Sequence, residues 1–238
     1  MIEPIDDSAL RPTGRLRFSG RPRKRSRART VGARLLTTVY RRMLFLTYPL
    51  DKQEIPVYTA RIDATYRILG LSDLADYQLF RPDADPHDFE ARIMGGHRCF
   101  ASIADGRVVD ACWMATGFAY VPYMKRYLPL AQHDIYSYDS FTMPEFRAHG
   151  IYMARNSFTA KLNRQEGFSR SVSLVAFENY GTWLILTRSG LETRGMYTYV
   201  RLPGSGIYRE TGIGGEQLRP LVARPPRAAA VAERGAAG

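Results

Sequence analysis

A strand, a tight turn and a helix are predicted in succession between Ile135 and Glu166, and this stretch constrains the fold more than any other. Residues 135–142 are rich in β-branched and aromatic side chains, which is typical of a strand. Pro144 cannot continue a central strand, because it has no amide hydrogen to donate. After Gly150, apolar or small residues recur at helical spacing, at Ile151, Ala154, Phe158 and Leu162.

The turn itself, residues 145–150 (EFRAHG), has a composition suited to binding an anion. The first turn of a helix has amide groups without intrahelical partners, and the helix dipole favours negative charge there. Successive amides that end in a glycine, where a ligand can approach the backbone, form a phosphate cradle. The alternative is an ordinary joint between a strand and a helix.

The pattern Pro144-x-x-Arg147-x-x-Gly150-x-Tyr152 resembles the acyl-CoA-binding signature of the GNAT superfamily of N-acetyltransferases, Arg/Gln-x-x-Gly-x-Gly/Ala. Tyr152 departs from it, since the family usually has Gly or Ala there. The resemblance covers about residues 57–202. It implies an α/β (mixed α+β) fold, in which a central, mostly antiparallel twisted sheet is flanked by helices and its central strands splay apart.

The order of the other predicted elements agrees with that fold. Residues 57–69 predict one or two strands, and Asp85-Pro86 predicts a helix start. Asp105-Gly106 predicts a type I′ hairpin turn between two extended runs, 98–104 and 107–120. A loop over 121–133 precedes the central strand. A strand over 171–177, a helix over 179–188 and a strand over 196–202 follow the central helix.

Composition predicts four segments along the chain. Residues 1–34 form a basic, disordered leader, 35–50 an amphipathic helix, 51–215 the acyltransferase-like domain, and 216–238 a disordered Pro/Ala/Arg-rich tail. The helix over 35–50 rests on a stripe of Leu35, Val39, Met43 and Leu46, and it either docks on its own domain or lies on a membrane surface.

The net charge of +11 is concentrated in the leader, where ten Lys/Arg face three acidic residues. Because a nucleic-acid reader more often carries its basic patch on the fold itself, nucleic acid is an unlikely partner. Two cysteines, Cys99 and Cys112, are too few for a disulfide framework. No span of about 20 apolar residues and no secretory signal are visible. A cytoplasmic protein is expected, with peripheral membrane contact through residues 1–50 as an alternative.

The resemblance implies an acyl-CoA, such as acetyl-CoA, as co-substrate, with no metal. Backbone amides of the turn would hold its pyrophosphate, and those at the strand end would orient the thioester. Asn179 would lie beside the pantetheine arm, although a plain helix cap is an equal alternative. The implied cofactor-binding residues are Phe141, Thr142, Met143, Arg147, Ala148, His149, Gly150, Ile151, Tyr152 and Asn179.

Acid–base groups are less well defined by the sequence. Asp139, on the central strand, and Glu178 are candidate bases, and His133 has a suitable intrinsic pKa. Glu145 lies close to the phosphate turn and is a weaker candidate. Many relatives have a Tyr seven residues after the helix-opening Asn, where this chain has Leu186. Tyr180 and Tyr152 are alternatives as the acid, and solvent is another.

The predicted activity is transfer of an acetyl or longer acyl group from acyl-CoA to an amine, a small molecule or an amino sugar. A variant takes the acyl group from acyl carrier protein, whose acidic surface would suit the basic leader. In that variant the aromatic and Met-rich residues of 113–128 would line an acyl tunnel. A different class is a non-catalytic protein that holds nucleic acid or anionic lipid through its basic arm.

Overall fold

A computed structural model describes residues 40–51, 54–202 and 205–225. These residues form ten strands and four α-helices. The strands are β1 Tyr40–Pro49, β2 Thr65–Leu69, β3 Arg98–Ala104, β4 Arg107–Ala115, β5 Phe118–Val121, β6 Arg126–Pro129, β7 Asp134–Thr142, β8 Arg170–Ala176, β9 Glu192–Leu202 and β10 Ser205–Gly212. The helices are α1 Leu74–Phe80, α2 Pro86–Met94, α3 Ile151–Gln165 and α4 Tyr180–Arg188.

Eight strands form one mixed sheet in the order β10-β9-β1-β8-β7-β4-β3-β2, and β5 pairs with β6 in a second, small sheet. In the large sheet every neighbouring pair is antiparallel except β7 and β8, which are parallel. The predicted mixed, mostly antiparallel sheet flanked by helices is therefore confirmed.

The predicted amphipathic helix over 35–50 is wrong for residues 40–49, which form strand β1. This strand lies inside the sheet, antiparallel to β8 on one side and to β9 on the other. Phe45, Leu46 and Tyr48 are all buried, because neighbouring side chains point to opposite, covered faces of the sheet. A short apolar run buried on both faces has no periodicity that separates strand from helix.

The helices cover the sheet on two faces. Val175 of β8 packs with Leu186 of α4, whereas the next residue back, Leu174, packs on a cluster with the β5–β6 sheet. Since successive side chains of a strand alternate between faces, α3 and α4 lie on one face. Helices α1 and α2 pack through Tyr77, Phe80 and Phe89 on the other face, the one that also carries the β5–β6 sheet.

Local turn and capping predictions agree with the structure. Asp105 and Gly106 have φ values of 50° and 73°, as a type I′ turn requires. The Asp85 side chain accepts a hydrogen bond from the His87 amide, and Pro86 begins α2. The predicted loop over 121–133, by contrast, contains the end of β5 and all of β6, so that prediction is partly wrong.

The predicted domain end at 215 and disordered tail from 216 are wrong for residues 216–225. Leu221 is buried in the core beside β5 and β6, and the Tyr197 hydroxyl donates to the Arg219 carbonyl at 2.8 Å. Glu216 pairs with Arg170 at 2.7 Å. Apolar side chains and these polar contacts hold the segment despite its Pro-rich composition. Residues 226–238 lie outside the described residues.

The basic leader 1–34 also lies outside the described residues. The contacts predicted for it, with a membrane, nucleic acid or acyl carrier protein, therefore stay predictions. Cys99 and Cys112 are both free and buried. Within the described chain, no helix is long and apolar enough to span a membrane. The same residues contain no group of three or more His, Cys, Asp or Glu arranged to hold a metal ion.

Candidate active site

The two parallel strands β7 and β8 diverge halfway along β7. They pair only from Asp134 to Ser137 on β7, opposite Arg170 to Ser173 on β8. Beyond that point β7 continues along β4, but with a register shift opposite Ala111–Trp113. Asp139 has a φ of 48° at this irregularity. The predicted splay of the central strands is therefore present, and it begins at Tyr138 and Leu174.

The turn that follows β7 presents backbone amides at the open end of this splay. Residues Pro144–Phe146 form a short 3₁₀ turn, and α3 begins at Ile151. Ala148 and Gly150 both have positive φ, 64° and 77°. The amides of the first turn of α3 have no acceptors within the helix, so this turn can bind an anion.

Gly150 is required here for a reason that differs from the sequence expectation. A Cβ on Gly150 would lie 3.2 Å from the Thr59 carbonyl oxygen, on a neighbouring segment of the chain. The His149 carbonyl accepts from the Arg61 amide at 2.8 Å, which holds that segment against the turn. The glycine thus permits the left-handed backbone and the approach of residues 59–61 rather than the approach of a ligand.

A groove of about 660 Å³, which we call the turn groove, runs from this turn to the splay. The predicted site residues that line it are Asp139, Phe141, Thr142, Arg147, Ala148, Gly150, Ile151, Tyr152 and Asn179. Lining residues that sequence reasoning missed include Ser137, Tyr138, Ser140, Phe146, Met153, Ser173, Leu174, Val175, Thr182 and Ile185. Leu186, which stands where many relatives have a Tyr, also lines it.

Met143 and His149 are predicted cofactor-binding residues that do not line the turn groove. The Met143 amide already donates to the Val109 carbonyl at 2.9 Å, so it has no free hydrogen for a thioester oxygen. Its side chain packs against Phe146 and neighbouring core residues. The predicted orienting role of the Met143 amide is therefore wrong.

Arg147 and Asn179 both line the groove, from the turn before α3 and from the start of α4. The Arg147 Nε donates to the Thr142 carbonyl at 3.0 Å, which places an exposed guanidinium beside the turn. Asn179 caps α4, and its side-chain oxygen accepts from the Thr182 amide at 3.4 Å. Asn179 is therefore a helix cap, which was the alternative to a role beside the pantetheine arm. It also lines the groove.

The three predicted catalytic residues do not converge. The Asp139 carboxylate lines the groove, but it is held by Arg92 at 2.7 Å and by Arg81 at 3.4 Å. Glu178 accepts a hydrogen bond from the Tyr123 hydroxyl. Tyr180 is exposed and packs on Trp183, with ring centroids 5.2 Å apart. Neither Glu178 nor Tyr180 lines the turn groove.

Two of the other candidates for acid–base work, His133 and Glu145, lie apart from the groove. His133 is exposed, and its carbonyl accepts from the Ser169 amide at 3.0 Å. Glu145 is exposed on the 3₁₀ turn. Tyr152 does line the groove, and burial raises the pKa of its hydroxyl, partly offset by Arg155.

A second groove of about 1150 Å³ opens on the opposite face of the sheet, between α2 and the β5–β6 sheet. We call it the aromatic groove. Its aromatic wall consists of Phe118, Tyr120, Tyr123, Tyr136 and Tyr138. Tyr138, Asp139 and Leu174 line both grooves, so the two grooves lie on either side of the splay.

His97 and Tyr138 form a pair at the splay that the sequence did not suggest. The His97 Nδ1 and the Tyr138 hydroxyl are 2.5 Å apart. Burial and the nearby Arg92 guanidinium lower the pKa of His97, while Asp88 opposes that shift. The imidazole is therefore neutral at neutral pH. The residues are 41 positions apart, and no local pattern could join them.

A buried ion pair supports the diverging end of β7. Arg155 of α3 and Asp110 of β4 are both fully buried and bonded to each other. Asp110 also accepts from the Thr142 hydroxyl at 2.6 Å, and Arg155 donates to the Ser140 hydroxyl at 2.8 Å. Since Ser140 and Thr142 belong to the splayed half of β7, this pair fixes one wall of the turn groove.

Comparison with known proteins gave structural neighbours. No protein-family model and no curated protein matches the sequence. A GCN5-related glucosamine N-acetyltransferase region of a fungal multi-domain GH3 β-N-acetylglucosaminidase superposes with a TM-score of 0.51 at 16% identity, over 74% of this chain and 23% of that one.

Two further neighbours are less similar. A GNAT-family acetyltransferase from Novosphingobium aromaticivorans has a TM-score of 0.47 at 14% identity, over 67% of this chain and 62% of that one. The aminoglycoside N-acetyltransferase AAC(6′)-Iy with CoA has a TM-score of 0.43 at 17% identity, over 54% and 91%. The chain thus spans less than two thirds of the fungal and Novosphingobium chains. Identities this low bear on the fold alone.

Proposed function

We propose that this chain, whose fold is that of the GNAT acetyltransferases, is an N-acyltransferase that moves an acyl group from acyl-CoA to a small-molecule amine. The observation that carries the proposal is the opening between β7 and β8 next to the amide-rich turn. A thioester can be held from one face of the sheet and reached by an amine from the other. The fungal region with the same fold is described as a glucosamine N-acetyltransferase, which agrees with an amine acceptor.

In this proposal the pyrophosphate of CoA binds the first-turn amides of α3, with Arg147 adding positive charge. The pantetheine arm follows the turn groove toward Ser173 and Leu174, past Asn179. The exposed edge of the splayed part of β7 offers backbone groups that β8 leaves unpaired, and the amide-containing arm can pair with them. The thioester then lies at Tyr138, and the amine attacks its carbonyl carbon directly.

Asp139, Glu178 and Tyr180 remain predictions as acid–base groups, and the geometry makes Asp139 a poor free base. Two guanidinium groups already occupy its carboxylate. The acyl-carrier-protein donor, the anionic-lipid contact and the nucleic-acid role all rest on the leader, outside the described residues. The membrane prediction also loses its predicted amphipathic helix, because residues 40–49 are a strand.

Titration of the full chain with CoA and acetyl-CoA by calorimetry tests the proposal. Arg147→Glu reverses a charge beside the turn and should weaken binding by about tenfold or more, because charge-assisted contacts to phosphate contribute roughly 1.5–3 kcal/mol. Arg188→Glu makes the same change at an exposed site at the end of α4, outside the groove, and should leave binding unchanged. Absence of CoA binding to the parent protein would refute the proposal.

A further inference from the structure

The aromatic groove is built to hold a larger apolar group than an acetyl-bearing arm requires. Aromatic rings come from two separate parts of the chain, with Tyr120 on β5, Tyr123 in the turn after it, and Tyr136 and Tyr138 on β7. Tyr136 and Tyr138 stack with centroids 5.4 Å apart and planes 7° from parallel. The Tyr123 and Tyr138 rings already have the Arg41 and Arg92 guanidinium groups 5.4 Å from their centroids, so what the aromatic wall offers a ligand is apolar surface.

The charges of the groove favour a cation over an anion. Its lining includes three carboxylates, of Asp88, Glu90 and Asp139, and one guanidinium, of Arg92. Arg92 is already bound to Asp88 at 2.6 Å and to Asp139 at 2.7 Å, so it is not free to bind a substrate carboxylate. Arg81 reaches Asp139 from outside the groove, and the lining residues themselves carry three carboxylates and one guanidinium group.

The inner end of the groove carries a path for a proton. Tyr138 stands at the splay, and its hydroxyl contacts His97 behind it. A neutral imidazole has one nitrogen that accepts a proton. With Nδ1 as that acceptor, Tyr138 can take a proton from an attacking amine while it passes its own to His97.

We infer that the aromatic groove is the acceptor site, and that it takes a primary amine on an apolar, aromatic body without an anionic group. The inference rests on the proposed function and names the acceptor class for it. The amine nitrogen forms the new C–N bond as the C–S bond breaks. Its proton goes through the Tyr138 hydroxyl to His97, and the CoA thiolate that leaves is protonated from solvent.

Three amines test the acceptor class with acetyl-CoA and the full chain, by release of free CoA thiol. 2-Phenylethylamine and phenylalanine share a ring and an amine and differ by one carboxylate, whereas glucosamine has a polar body. We expect kcat/KM for 2-phenylethylamine to exceed both others by at least about tenfold. Equal or better use of phenylalanine or of glucosamine would overturn the inference.

Groove variants test the place of binding. Tyr120→Ser removes a 46%-exposed ring from the groove, and Tyr40→Ser removes a 42%-exposed ring outside both grooves. Only the first should raise KM for 2-phenylethylamine. Tyr138→Phe keeps the stacked ring but removes the hydroxyl, so it should lower kcat with little change in KM. If Tyr120→Ser instead weakened decanoyl-CoA binding alone, the groove would hold the donor's chain and the inference would be wrong.

A binding measurement separates this inference from the proposed function. 2-Phenylethylamine is titrated by NMR into the protein saturated with CoA, where no transfer can occur. If CoA binds and the amine does not, the inference fails and the proposed function stands. If CoA itself does not bind, the proposed function fails.

Discussion

At the scale of the residue, Gly150 has two separate reasons to be glycine, and they can be measured apart. Its φ is +77°, and a Cβ would also meet the Thr59 oxygen at 3.2 Å. Gly96 has almost the same φ, +79°, with no atom within 4 Å of the added Cβ. Gly96→Ala should cost about 1–2 kcal/mol of unfolding free energy from the left-handed backbone alone.

Gly150→Ala should cost more than Gly96→Ala, since the Thr59 contact adds to the same backbone cost. Urea denaturation of the two variants gives the comparison. Equal losses would mean that residues 59–61 yield to the new methyl group. The sequence pattern correctly predicted a tight turn at Gly150. The steric contact with Thr59, about 90 positions earlier, could not be predicted, because no local pattern identifies it.

The buried pair of Asp110 and Arg155 predicts strongly non-additive losses of stability. Asp110→Leu leaves the Arg155 charge buried without its partner and should cost about 3–5 kcal/mol. The double variant Asp110→Leu/Arg155→Met removes both charges and should cost less than Asp110→Leu alone. A double-mutant cycle in urea measures this difference. Additive losses of Asp110→Leu and Arg155→Met would show that the two side chains are not coupled to each other.

The titration of His97 predicts a specific pH profile for transfer. Arg92 and Asp88 from α2, and Tyr138 and Asp139 from β7, are the charged or titratable groups around it. Burial, reinforced by Arg92, holds the pKa of His97 below the ordinary value of about 6.5. The ratio of kcat/KM between the parent and His97→Gln, which cancels ionisation of the amine, should be constant above that pKa and fall as the pH drops below it.

A purely structural His97 would leave that ratio flat, even if Gln lowered activity throughout. The free energy of unfolding should also fall as the pH drops, because the same imidazole becomes protonated. Because the folded pKa is depressed, the contribution of His97 is fully present above about 6.5 and is lost as the pH falls through the folded value. His97→Gln should remove this part of the acid sensitivity of the melting temperature.

At the scale of the element, β1 is the clearest wrong prediction, since its residues were expected to form a helix. As a strand buried on both faces, β1 should be sensitive at consecutive positions. Phe45 is 5% exposed and Leu46 is fully buried, in different clusters on opposite faces. Phe45→Ala should cost about 3–5 kcal/mol and Leu46→Ala about 2–5 kcal/mol in urea denaturation. Tyr40→Ala, at the 42%-exposed start of the strand, should cost far less.

Elements whose signals are local could be predicted from the sequence, and those that depend on distant partners could not. Asp105-Gly106 fixes its hairpin within two residues, and the spacing after Gly150 defines α3. The strand character of residues 40–49 exists only because β8 and β9, more than 120 positions later, pair on both sides. The same limit applies to the site, where the turn was predicted but the His97–Tyr138 pair was not.

At the scale of the whole molecule, the two faces of the sheet divide the proposed reaction between them. The turn groove lies on the face of α3 and α4, and the aromatic groove lies on the face of α1, α2 and the small sheet. They meet only where β7 leaves β8. An acyl donor and an acceptor can then bind without competing for one entrance, and the reacting atoms meet inside the sheet, away from bulk water.

This division predicts how removal of the leader affects donors of different kinds. The turn groove is lined by residues between Ser137 and Leu186, so a variant that lacks residues 1–34 should bind CoA within about twofold of the full chain.

A protein donor would also use charge outside the groove. If acyl carrier protein also serves as a donor, its transfer to 2-phenylethylamine should lose rate on deletion. The full chain should lose that rate with added salt, because exposed charges are screened within about 10 Å at 0.1 M. Transfer from acetyl-CoA should change little in both comparisons. Loss of CoA binding on deletion would instead place the leader in the donor site. If the full chain and the deletion variant used acyl carrier protein at equal rates, the ten basic residues of the leader would have no part in transfer.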